Sequence, residues 1–221
     1  MAADPEPERA RRRIGTGRLE AFSDGVFAIA ITLLVLEISV PEGSNNDLLR
    51  AVLKLWPSYL AYVVSFATIG VAWLGHTVVT EYVSHTDATF ARVNLLALMA
   101  VSFLPFPTAL LAGNISSEGA ERVATTIYGL NLVVVSGLLY ALWRYAVHAR
   151  LIRSDVHDDD VEILTKRLKP GLAGYAAAIV LGLLLPLVAV FGYLAIALYL
   201  LLPVRLRPDR HRPSPEAGSA A

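Results

Sequence analysis

The sequence predicts an all-α, polytopic membrane protein with six transmembrane helices and both termini in the cytoplasm. Three observations carry the class. Mean hydropathy is +0.55, and 55% of the 221 residues are apolar. The apolar residues gather in long stretches with almost no charge, where a soluble domain would show amphipathic periodicity. Those stretches are continuous rather than alternating, which disfavours a β-barrel. The chain has no cysteine, so disulfides, thiolate metal sites and a Cys nucleophile are excluded. A multi-pass protein of the cell inner membrane is expected. The formal net charge is zero, which gives no electrostatic support to a nucleic-acid role.

Residues 1–17 read as a flexible basic tail with the run Arg11-Arg12-Arg13. The transmembrane unit is 18–204, and 205–221 is a polar, Pro-rich tail expected to be disordered. The first helix spans Leu19 to Val40. It opens with Arg18, Glu20, Ser23 and Asp24 and runs apolar from Gly25 to Leu36, with Thr32 as the only hydroxyl. At roughly 1.5 Å per residue it crosses the ~30 Å hydrocarbon core. Ser23-Asp24 interrupts the run, which is longer than a signal-peptide core, so the helix is read as retained.

The turn Pro41-Glu42-Gly43-Ser44-Asn45-Asn46 follows, with Asp47 as an N-cap. The second span runs from Leu48 to about Thr80, with Pro57 in its first turns, then Trp73 and His76. Glu81 to Arg92 is a polar connection. The third span, from about Val93 to Leu111, carries Asn94. Its Leu104-Pro105-Phe106-Pro107-Thr108 should bend or break the helix near its outer end. The fourth runs from about Val123 to Ala146, and a charged segment, Arg144 to Lys169, follows it. The last run, Gly171 to Val204, has about 34 residues without charge. That is too long for one span and short for two. Pro186 and Gly192 bracket the expected break between two short helices. Gly171 with Gly174, and Gly129 with Gly137, read as helix-packing positions.

Lys and Arg set the orientation. Five lie in the N-terminal tail up to Arg18, six between Arg144 and Lys169, and four in the C-terminal tail. Six spans put all three segments on one side, and the positive-inside rule makes that side cytoplasmic. Five spans would leave the basic C-terminal tail outside.

Ile29, Leu33 and Leu36 share a face of the first helix, and Thr32 adjoins it. Alone, such a stripe reads more simply as packing or lipid-facing surface. Where copies meet about an axis, it becomes a set of apolar rings that narrow a pore and gate by dewetting. The polar start of the helix strengthens the pore reading, because Arg and Asp in a membrane segment are costly unless paired or wetted. Trp73, His76 and Asn94 fall at a similar depth. A packed network among Arg18, Asp24, His76 and Asn94, with Ser23 and Trp73 beside it, is expected to anchor the helix. Singly, Arg18 would snorkel, Ser23-Asp24 would cap and Trp73 would sit in the aromatic belt. No catalytic residue is expected. His85, Asp87, His148, His157 and Asp158 to Asp160 are dispersed, and no H-E-x-x-H, G-x-S-x-G or Walker A motif occurs. The run Ser154 to Asp160 reads as a solvated acidic loop rather than a metal site.

Arg18-x-x-x-Phe22-Ser23-Asp24, followed by Gly25-Val26-Phe27-Ala28-Ile29-Ala30-Ile31-Thr32, resembles the signature of the transmembrane-protein-175 potassium channel family. Trp73-x-x-His76, Asn94 and Leu104-Pro105-Phe106-Pro107-Thr108 resemble that family's second and third helices. The likeness covers the first three spans and is only hydropathic beyond Arg144. It implies one six-helix repeat per chain, a homotetramer, and a central pore lined by the first helices without a TVGYG filter. Ile29 would be the narrowest ring, with Leu33 and Leu36 beyond it and Thr32 offering a hydroxyl ring. Arg18, Phe22, Ser23, Asp24, Trp73, His76 and Asn94 would hold the helix. Gly25 departs from the family, which has a slightly larger residue such as Ala there. The change loosens the helix by roughly 0.5–1 kcal/mol.

The function implied is passive, leak-type flow of potassium, with no cofactor beyond the permeant ion. Glu37 and Glu42 at the outer mouth would raise the local cation concentration. Three alternatives stay open: a proton or unselective cation leak, a non-conducting membrane scaffold, and a secondary transporter. The last lacks paired halves and midplane helix breaks.

Overall fold

The computed structural model describes residues 16–41 and 47–202. Among these the regular structure is helical, with one isolated bridge between Val83 and Ile152. Four segments are long and apolar enough to cross a membrane: Thr16–Glu37, Trp56–Tyr82, Ala88–Asn114 and Ala120–His148. Both expected tails lie outside the described residues, except Thr16 and Gly17, which open the first helix.

Helix α1 (Thr16–Leu33) continues as a 3₁₀ turn, Leu34–Glu37. It stops before the expected Val40. Ile38 and Val40 are β-branched and Pro41 follows, so the chain turns extended there. Helix α2 (Leu48–Lys54) is capped by Asp47, whose carboxylate accepts from the Arg50 amide at 3.3 Å. The expected second span therefore divides. Helix α3 (Trp56–Tyr82) starts afresh, with Pro57 in its first turn. A missing N–H leaves no bond unmade at that position. The later proline pair breaks the third span as its chemistry requires. Helix α4 (Ala88–Phe103) and helix α5 (Pro105–Asn114) meet at Leu104, which keeps helical angles of φ −58° and ψ −33°. Helix α6 is Ala120–His148.

Two expectations fail in the C-terminal third. Helix α7 (Asp158–Gly182) draws its first half from the charged segment, so only 149–157 connects it to α6. Asp158, Asp159 and Asp160 occupy its first turn, where the exposed N–H groups favour negative charge. The break falls at 183–185, because Pro186 opens helix α8 (Pro186–Leu201), and Gly192 lies inside that helix. Proline suits a first turn, whereas an interior glycine costs a helix only about 1 kcal/mol and does not end it.

Helix α6 is the hub and packs on α3, α4, α5, α7 and α8. Its Trp143 and Tyr128 are fully buried. Ser65 Oγ lies 2.8 Å from Thr108 Oγ1 and 3.0 Å from the Tyr128 hydroxyl, which joins α3, α5 and α6. Glycines allow the close approaches. A Cβ at Gly129 would overlap the Tyr193 hydroxyl and stand 2.6 Å from Ile179 Cγ1. Helix α1 packs against α3 and α4, and its 3₁₀ turn against α3 and α5. Only 22% of its apolar window is buried, against 44% for each of the other three segments. It is the peripheral span of the protomer.

Candidate functional site: an anchored first helix

The buried residues of the first segment are Ser23, Phe27, Ala30 and Leu34. Their steps of four, three and four residues make one narrow stripe. Ser23 Oγ donates its single proton to the Leu19 carbonyl at 2.8 Å. Its oxygen then accepts from Asn94 Nδ2 at 3.0 Å. The other end of the amide, Asn94 Oδ1, lies 2.7 Å from His76 Nε2. Because a carbonyl only accepts, the direction of the chain is fixed: His76 Nε2 must carry the proton that Asn94 receives. Ser23, His76 and Asn94 are all buried. His76 Nδ1 has no hydrogen-bond partner among the described residues. The ring of Phe27 packs on the imidazole with centroids 5.5 Å apart. Beside this relay, Asp24 Oδ1 accepts from Trp73 Nε1 at 2.9 Å. Helix α1 is thereby tied to α3 and α4 at one level.

The structure brings together Ser23, Asp24, Trp73, His76 and Asn94. It does not bring Arg18 or Phe22 to them. Arg18 is exposed and forms no ion pair with Asp24 or any other described residue. Phe22 is 56% exposed. Arg18, Phe22, Gly25 and Ile29 follow the same helical step as the buried stripe but stand on the open face. Ile29, Leu33 and Leu36 continue that face, at 60%, 40% and 70% exposure. Leu36 lies in the 3₁₀ turn, where residues three apart eclipse, so it stays in line with Leu33. The Thr32 hydroxyl donates to the Ile29 carbonyl at 2.9 Å, and its oxygen can still accept. Glu37 is half-buried, and Glu42 lies outside the described residues.

The bond from Trp73 to Asp24 and the tilted packing of Phe27 on His76 go beyond the sequence reading. The second had a signal, since Phe27 follows Ser23 by one helical step. One of the dispersed polar residues has a structural role. Asp87 caps α4 and accepts from the Tyr145 hydroxyl at 2.6 Å. Arg153 and Asp155 pair on the surface. Among the described residues no group of three or more His, Cys, Asp or Glu could hold a metal.

Residues 18–105 match the family model described as the endosomal/lysosomal potassium channel TMEM175. A potassium channel of Chamaesiphon minutus is 42% identical over 188 residues, covering 83% of this chain and 92% of that protein. The chain belongs to the TMEM175 family. The crystal structure of a lysosomal potassium-selective channel TMEM175 homolog from Chamaesiphon minutus superposes with a TM-score of 0.76 at 41% identity, covering 84% of this chain and 95% of that one. The Gallus gallus endosomal/lysosomal proton channel TMEM175 is 34% identical over 139 residues, covering 59% of this chain and 27% of that protein. TMEM175 proteins are ion channels, not enzymes. The stretch matched to TMEM175 contains the whole anchor, from Ser23 to Asn94.

Proposed function

We propose that this protein is a potassium-selective leak channel in which four copies surround a central pore. Each protomer spans the inner membrane six times with both termini in the cytoplasm, α7 and α8 being the last two spans. The α1 helices stand at the axis. Ile29 forms the constriction, Leu33 and Leu36 extend it, and Thr32 offers an oxygen close by. The observation that carries the reading is the two-faced first helix. One side is fixed by a buried relay to α3 and α4, and the other leaves Ile29, Leu33 and Leu36 uncovered by the protomer. An unfunctional lipid-facing helix needs no such anchor. The names of the Chamaesiphon minutus relatives support potassium as the permeant ion.

The physics is that of a narrow apolar ring. A hydrated cation is excluded while the ring is tight and passes when it widens or when part of the hydration shell is shed. Potassium is larger and holds its water less firmly than sodium, so the penalty falls more lightly on it. Glu37 and Glu42 would concentrate cations at the outer mouth.

The experiment is potassium against sodium flux in liposomes holding purified protein, for the wild type and Ile29→Asn. A polar side chain wets the ring, so current should rise and potassium preference should weaken. Unchanged conductance and selectivity in Ile29→Asn would remove Ile29 from the constriction. A monomer in both detergent and lipid would leave no axis and favour a scaffold. A second reading, proton conduction through the same bundle, is supported by the name of the Gallus gallus relative. Proton flux without potassium flux from the same liposomes would select it.

A further inference from the structure

A cavity of about 440 Å³ lies between α3, α6, α7 and the end of α8. The anchor uses none of its lining. Helix α3 contributes a residue to it at every turn from Thr68 to Tyr82, and no charged side chain among the described residues faces it. Thr68, Leu132 and Tyr175 close its buried part, while Leu74, Ile163 and Leu202 form an exposed apolar rim. A site for water needs two to four polar partners per molecule, and this lining offers only scattered hydroxyls. The rim belongs to a chain of a membrane-channel family, and its apolar side chains suit lipid hydrocarbon. Tyr82 ends α3, Leu202 follows α8 and Ile163 lies in the second turn of α7, which sets these three at one end of the bundle. From Thr68 to Tyr82 the slot covers about 21 Å at 1.5 Å per residue. Half of the hydrocarbon core is roughly 15 Å. A chain rooted in one leaflet therefore fits the slot lengthwise, whereas a compact ligand would leave much of it empty.

We propose that this cavity is a lipid site that takes one acyl chain of a bilayer phospholipid, entering past Leu74, Ile163 and Leu202 with its headgroup near Tyr82. Ala72 and Gly75 line the slot and alternate along α3 with Trp73 and His76, which hold α1. The bound chain braces the helix that anchors the first span. The site depends on membrane embedding and not on the channel reading.

The test is native mass spectrometry of the purified, delipidated full-length protein titrated with palmitoyl-oleoyl phosphatidylcholine. A Cβ at Gly75 meets nothing within 4 Å, so the side chain of Gly75→Leu starts in open space and extends into the slot that Gly75 lines. Gly70→Leu is the control, since Gly70 has the same free space and does not line the cavity. The wild type and Gly70→Leu should each retain one phospholipid per protomer, and Gly75→Leu should lose it. Circular dichroism checks that each variant is folded, and Ser136→Leu, on the α6 wall, replaces Gly75→Leu if that chain does not fold. Equal retention by the slot-filling variant, or no retained phospholipid on the wild type, overturns the proposal. The readout is bound mass, so it stands or fails separately from ion flux.

Discussion

The relay from His76 to the Leu19 carbonyl makes a quantitative prediction about Asn94. Replacing Asn94 with Leu keeps the branched shape and the heavy-atom count and removes both ends of the amide. Two bonds are lost, at 2.7 Å and 3.0 Å. Such bonds contribute about 0.5–1.5 kcal/mol each in soluble proteins, and an orphaned buried donor costs about 1–3 kcal/mol. Inside membranes the measured average per side-chain bond is nearer 0.6 kcal/mol, because the unfolded chain also finds partners there. Asn94→Leu should therefore lower unfolding stability by about 1–3 kcal/mol, most of it from the stranded His76 Nε2–H. Ser23→Ala removes only the 3.0 Å bond and the back-bond to Leu19, and should cost about 0.5–1.5 kcal/mol. The 3.0 Å bond is broken in both variants, so the double variant should cost less than the sum by about 0.5 kcal/mol or more. Reversible unfolding in bicelles measures all four proteins. Additivity within about 0.3 kcal/mol, or an Asn94→Leu protein as stable as the wild type, would refute the relay as a coupled unit.

Two further variants test other parts of the structure. Gly129→Ala puts a methyl where the Tyr193 hydroxyl sits and disturbs its bond to the Thr125 carbonyl, 3.2 Å long. It should cost about 1–3 kcal/mol of overpacking, and a melting temperature equal to the wild type's would show that α8 simply moves aside. Glu37→Gln should lower potassium flux in dilute salt and match the wild type near 1 M salt, where the Debye length is about 3 Å. A deficit that persists in high salt would point to a role for Glu37 other than concentrating cations.

The common level of Ser23, Asp24, Trp73, His76 and Asn94 is legible in the sequence, and angle about the helix axis decides which of their neighbours join them. Level alone adds Arg18 to the anchor beside Ser23 and Asp24, and the family resemblance adds Phe22. At 3.6 residues per turn, each residue advances about 100°, so Arg18 and Ser23 stand about 140° apart. One side chain cannot reach the groove between α3 and α4 when the other does. Ser23, Phe27 and Ala30 take that groove and Leu34 continues the stripe against α3 and α5, which leaves Arg18, Phe22 and Ile29 to the open side. The same argument explains why the spans were easier to read than their ends. Apolar length marks hydrocarbon, but helix α7 extends beyond the apolar run into charged residues, and charge sets no limit on helical hydrogen bonding. Proline does set one, and Pro57, Pro105 and Pro186 each open a helix. Reading Pro57 as a tolerated kink and Pro186 as one side of a break leaves unused the lost N–H, which names a helix start. The angular rule then ties the anchor to the proposed pore: a relay that turns Ser23 inward must turn Ile29 outward, so any change that lets α1 rotate should be felt at Ile29 before it is felt in the core.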